Sequence, residues 1–138
     1  MLKAKYYLNQ IKFLDIKINN KQSERDALWT MATKVTPTLS KEKVSGFSVS
    51  DKVGNIVTKI VAIDDEINKK IDEFVTIKTK IIEQIEGVAD KRHYSLLYKR
   101  YIEYKDFAVI AAEMGYEYNS VIKLHGQALK AFENQYLH

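Results

Sequence analysis

From Leu2 to Val35 the apolar residues Ala4, Tyr7, Ile11, Leu14, Ile18, Leu28, Ala32 and Val35 return every three or four positions, interrupted by Lys21 and Arg25. That spacing draws one stripe along an α-helix, and about 34 residues at ~1.5 Å each make a rod of about 50 Å. The rod is expected to stop near Thr36-Pro37, because proline lacks a donor and pushes its predecessor out of the helical region. Residues 36–51, TPTLSKEKVSGFSVSD, carry no period and read as a mobile connection. Val44, Phe47 and Val49 would at most tack that connection down near Trp29. A second seam then runs through Val53, Ile56, Ile60, Ile63, Ile67, Phe74, Ile77, Ile81 and Val88, interrupted by Lys70 and Gln84 and widened by Ile71, Ile82 and Ile85. Two rods of matched length joined by a connection fold most simply into a long antiparallel helical hairpin, at about 2–35 and 52–88.

Beyond residue 89 the pattern shortens. Gly87 and the Ala89-Asp90 step mark a joint, and a helix over about 91–103 sets Tyr94, Leu97, Tyr98 and Tyr101 on one side. Among Lys91, Arg92, Lys99 and Arg100, these tyrosines and Tyr104 invite comparison with stacking platforms for single-stranded nucleic acid. At helical spacing they read first as core. Asp106 can cap a helix running to Met114, and Gly115 stops it, since a residue without Cβ enters the left-handed region at no steric cost. A last helix over about 118–135 carries Val121, Leu124, Ala128 and Phe132 on the face that closes over Ile110, Ala111 and Met114. Tyr118, Asn119, Ile122 and Lys123 are left facing out. Small Ala111 and Gly126 are expected to let the last two helices approach closely. The fold class is therefore all-α: a hairpin over 1–89 with its loop at about 36–51, then a three-helix domain over 90–138.

Composition adds limits. With 138 residues, 46% of them hydrophobic, one proline and five glycines, the chain suits helix nearly throughout and is no disordered tail. Cysteine is absent, which removes disulfides and thiolate metal sites. Lysines break the apolar positions of the N-terminus, no run is long enough to span a bilayer, and a cytoplasmic location is expected. Asp64-Asp65-Glu66, with Asp72 and Glu73 beyond, suggests a metal or acid/base cluster. Consecutive helical residues diverge by about 100°, so three adjacent carboxylates cannot converge on one ion and read as a solvated face. His93, His125 and His138 lack metal-ligand spacing, and neither a phosphate loop nor a nucleophile arrangement is present, so no enzyme activity, metal or cofactor is expected.

The segment LLYKRYIEYKDFAVIAAEMGYEYNSVIKLHGQALKAFE resembles the promoter-reading region 4 of bacterial sigma factors. The match runs through Leu96, Leu97, Arg100 and Tyr101, then Ile110-Ala111, Met114-Gly115, Val121 and Ala128-Leu129-Lys130. With its preceding helical part, the whole chain resembles a family of small sigma-like proteins from phages and prophages. The resemblance implies a helix-turn-helix transcriptional regulator that binds duplex DNA, with RNA polymerase as a second partner. It puts Tyr118, Asn119 and Lys123 at positions that reach base edges, with Ile122 beside them to meet a thymine methyl group. Arg100, Lys105, His125 and Lys130 complete the expected DNA-binding set. Glu117 stands where region 4 usually carries a Ser or Thr cap.

Charge sharpens two further expectations. Residues 1–50 hold nine Lys/Arg against four Asp/Glu and residues 51–89 six against eight, so the rods are complementary. They read equally as an intramolecular hairpin or as the seam of a homodimer. Residues 90–138 hold seven Lys/Arg against six Asp/Glu, little for releasing phosphate counterions, so specific binding is expected to need a second contact. The rival function is a coiled-coil scaffold whose head serves protein contacts only. Acidic residues on the outer face of 118–131 would favour that rival, and that window contains none.

Overall fold

The computed structural model describes the backbone of residues 2–41 and 49–138 and the side chains of residues 3–34 and 51–138. Every regular element among them is helical: α1 (Leu2–Lys41), α2 (Val49–Glu86), α3 (Lys91–Leu97) continued by a π-helical turn (Tyr98–Ile102), α4 (Phe107–Met114) and α5 (Tyr118–Tyr136). Val44, Phe47 and the side chain of Val49 lie outside the described residues, so their expected docking does too. The expected stop at Thr36-Pro37 is corrected: α1 continues through Pro37 to Lys41. Proline's fixed φ is itself helical, so an established helix can pass it with the loss of one hydrogen bond to the carbonyl four residues back.

Contacts gather the chain into two compact units, residues 1–14 with 74–138, and residues 15–73. In the second unit Ile18, Ala32, Ile60, Ile63 and Ile67 are buried. The two polar interruptions of the first seam find partners there. Lys21 Nζ lies 3.1 Å from Glu66 Oε2 and Arg25 Nε 2.6 Å from Asp64 Oδ1, while Asp65 pairs with Lys69 on its own helix at 3.2 Å. The three adjacent carboxylates thus diverge to three different cations, as the 100° step requires. Glu66 and then Glu24 raise the Lys21 ammonium above its usual range.

The first unit holds two buried clusters. One joins Ala4, Leu8 and Ile11 of α1, Ile81 and Ile85 of α2, Leu97, Tyr101 and Ile102, and Ala128, Leu129 and Phe132 of α5. The other joins Leu96, Ile110, Ala111, Val121 and Leu124, with Phe107 and Met114 against it. Leu8 and Leu129 lie off the stripes read from the sequence, yet both are buried, because these helices are covered on more than one side. Gln84, an interruption of the second seam, accepts a 2.5 Å hydrogen bond from the Tyr7 hydroxyl. Tyr101 is buried as expected of core. Tyr98 and Tyr104 are half-buried and pack against the first cluster, in keeping with the same reading, whereas Tyr94 is 36% exposed, which corrects it for that one tyrosine.

Candidate nucleic-acid interface

Asp90 opens the segment that backs α4 and α5. Its Oδ1 accepts from the Arg92 and His93 amides at 2.8 and 3.3 Å, satisfying two donors of the first turn. The Arg92 guanidinium, then those amide bonds, hold the Asp90 carboxyl below its usual range. The helix does not run uniformly to residue 103. From Tyr98 it widens into a π-turn, with the Glu103 amide donating to the Tyr98 carbonyl at 3.1 Å. The extra residue per turn changes the phase, so that Leu97, Tyr101 and Ile102 all face the first cluster while Leu96 faces the second. Tyr104 ends the segment at φ 58°, left-handed without being glycine.

Two contacts fix the turn into α4. Arg100 Nη1 donates to the Lys105 carbonyl at 3.0 Å, and its guanidinium carbon lies 4.1 Å from the Phe107 ring centre. Asp106 is the N-cap residue of α4 but makes no side-chain capping bond, so the expected role of its carboxylate is not seen. The end of α4 follows the sequence closely. Gly115 has φ 72°, its amide donates to the Ala112 carbonyl, and the Tyr116 amide donates to the Ala111 carbonyl at 2.9 Å. This pair of bonds is the Schellman closure, which needs a left-handed residue at that point. Glu117 then precedes α5 in extended conformation, again without a side-chain cap.

Along α5, Val121, Leu124, Ala128, Leu129 and Phe132 are buried. Tyr118, Asn119, Ile122, Lys123 and Lys130 are exposed, and the opposition follows from the 3.6-residue period. The expected close approach at Gly126 is corrected: a Cβ there would meet nothing within 4 Å. Gly126 therefore lies toward the open face, between Ile122, Lys123 and Lys130, and the buried small residue between α4 and α5 is Ala111.

The expected DNA-contacting residues fall into separate groups. Lys123 lines an open groove of about 370 Å³ with Arg92, Tyr116, Ser120, Leu124 and Gln127. Ser120, Lys123 and Gln127 share three/four spacing along α5, and Arg92 arrives from α3. Arg100, Ile122 and His125 line a narrower groove of about 130 Å³, to which α1 adds Lys5 and Asn9. His125 Nε2 lies 2.7 Å from the Tyr101 hydroxyl, and its ring sits edge-on to Phe107. Burial, followed by the positive charges of Arg100 and Lys5, brings the imidazole down to about 4, while burial pushes the Tyr101 phenol up to about 12. Lys105 is engaged elsewhere. Its ammonium lies 2.9 Å from Glu113, which also takes Lys99 at 2.8 Å, and these two lysines hold the Glu113 carboxyl below its usual range.

No helix among the described residues is long and apolar enough to cross a membrane, and no group of three His, Asp or Glu among them is placed to hold a metal ion. No curated protein and no solved structure matches the chain. The profile of a family described as protein of unknown function, DUF1492, matches residues 34–133. That span is well over half of the sequence, and the chain belongs to the DUF1492 family.

Proposed function

We propose that this chain is a DNA-binding transcriptional regulator of the sigma-region-4-like kind, in which α4, the Gly115 turn and α5 form a helix-turn-helix and α5 enters the major groove. The observation that carries the reading is the open face of α5. Asn119, Ile122, Lys123 and Lys130 are exposed on it, and no Asp or Glu occurs from Tyr118 to Phe132. Asn119, one residue into the helix, can pair with adenine through both its amide groups, and Ile122 can meet a thymine methyl group. Arg92 and Lys123 at the neighbouring groove are suited to phosphates. We read residues 15–73 as an antiparallel hairpin arm, since Lys21 meets Glu66 while Arg25, further along, meets the earlier Asp64. The small net charge of residues 90–138 makes a second contact necessary, through RNA polymerase or a second copy. The resemblance to phage and prophage regulators supports the same assignment.

The test is a gel shift of the full chain on a pool of promoter-containing duplexes over a range of salt. Binding should fall steeply with salt, and Asn119→Ala should flatten the preference among sequences more than it weakens binding to random duplex, by about 1–3 kcal/mol of discrimination. Absence of any shift, or an equal loss on every sequence, goes against the reading. One observation favours a second reading, a helical scaffold. Trp29 and Met31 of α1 and Val57 and Val61 of α2 are all at least 40% exposed within residues 15–73, apolar side chains available to a protein partner. A chain that associates through those residues and ignores DNA would establish that alternative.

A further inference from the structure

The narrow groove beside His125 collects positive charge from three elements. Lys5 and Asn9 come from α1, Arg100 from the π-turn, and Ile122 and His125 from α5, and no carboxylate lines it. Its cations differ from their neighbours in what they bind. Lys99 and Lys105 share the carboxylate of Glu113. Arg100 is held by a carbonyl and an aromatic ring, which fix its position and leave its charge uncompensated. Lys5 forms no ion pair among the described residues. Asn9 adds an amide donor. Two uncompensated cations around a donor-lined cleft of about 130 Å³ make a site for one tetrahedral anion, with room to seat it partly out of water. Ile122 belongs both to this cleft and to the open face of α5, so an anion held here is continuous with whatever lies on that face.

We propose that the cleft of Lys5, Asn9 and Arg100 seats a backbone phosphate of the duplex that α5 reads, which makes the first turns of α1 part of the DNA interface. The inference rests on the DNA-binding reading above and extends it to the opening turns of α1, far from α5 in sequence. A phosphate there fixes the register of α5 in the groove without itself reading sequence, because phosphate contacts position a protein and base contacts specify. It also supplies part of the second contact that the weakly charged C-terminal segment needs.

The experiment uses the full chain, with random-sequence duplex DNA and inorganic phosphate as the two probes. Lys5→Gln should weaken duplex binding about five- to tenfold at physiological salt and lower the slope of log affinity against log salt by about 0.9, the release expected for one phosphate. Lys59→Gln, an exposed lysine in residues 15–73, serves as the charge-matched control and should behave as wild type. Melting curves of both variants should superimpose on the wild type, since Lys5 is exposed. If Lys5→Gln keeps the wild-type slope, or loses no more than Lys59→Gln does, the phosphate seat is refuted while the DNA reading stands. If the wild type shifts no duplex, both fall together. Inorganic phosphate that moves the His125 ring resonances in a chain that ignores duplex would mark a free-anion site and likewise overturn the proposal.

Discussion

At the scale of single residues His125 shows how far a side chain's behaviour is set by what surrounds it. Its imidazole is held near 4, against 6.5 for the free group, by burial and by the charges of Arg100 and Lys5. Between those two values the unfolded chain takes up a proton that the folded one refuses, so stability falls as pH drops from about 6.5 toward about 4 and is complete above that window. Because the ring is only half-buried, the effect should be on the order of 1–2 kcal/mol. Thermal melts at intervals from pH 7.5 to 4.5 should show this loss in the wild type and a flatter profile in His125→Gln. Identical profiles would mean that the imidazole titrates normally. The loss tied to Asp90 and Glu113, whose carboxyls are lowered, belongs to a more acid window, below their ordinary values. Among these residues Gly115 was legible from sequence, since its left-handed turn needs only local geometry. The capping carboxylate was not, because Asp106, expected to cap, makes no such bond while Asp90, read only as a joint, turns its carboxylate to the amides.

At the scale of elements, the π-turn and α4 are tied together by charge. Glu113 on α4 accepts Lys99 from the turn and Lys105 from the segment that follows it. Within the DNA-binding reading, this clamp would keep two cations from nucleic acid and make the carboxylate an inhibitor of non-specific binding. Glu113→Gln should release both lysines, raise affinity for random duplex, and steepen its salt dependence by roughly one phosphate equivalent. A filter-binding titration at several salt concentrations reads this directly. Unchanged affinity would show that the two lysines lie out of reach of bound DNA. The π-turn itself carries no sequence signal. LLYKRYI satisfies an ordinary helical period, and only simultaneous packing against two clusters draws Leu96, Leu97, Tyr101 and Ile102 all inward.

At the scale of the whole molecule, the compact unit that contains residues 90–138 also takes residues 1–14 and 74–89. Its larger cluster depends on them, since Ala4, Leu8, Ile11, Ile81 and Ile85 cover Leu97, Tyr101, Ala128, Leu129 and Phe132. A fragment of residues 90–138 would expose that face of α5 and of the π-turn. It should lack a cooperative thermal transition and give weak near-ultraviolet circular dichroism, or associate to cover the face. Adding back residues 1–14 and 74–89 on a connecting linker should restore the transition. A fragment of 90–138 that melts cooperatively as a monomer would show that the second cluster alone suffices. In residues 15–73 the complementary charge seen along the rods resolves into named pairs at Lys21 and Arg25. Such exposed pairs set register more than stability.

Local pattern along the chain carries the helical class, the positions of α2, α4 and α5 within a few residues, the Gly115 stop and the outward set Tyr118, Asn119, Ile122 and Lys123. Each of these depends on periodicity or on the conformational freedom of one residue, which act over a few positions along the chain. Tertiary structure decided the rest. It turned residues 98–102 into a π-turn, buried Leu8 and Leu129, committed Lys105 to Glu113, and brought Lys5 and Asn9 beside Arg100 and His125. Those outcomes depend on which partners distant segments present, and no local pattern encodes that residues 5 and 125 line one cleft. The open face of α5 was therefore legible in the sequence, while the charges that surround it were fixed only by folding.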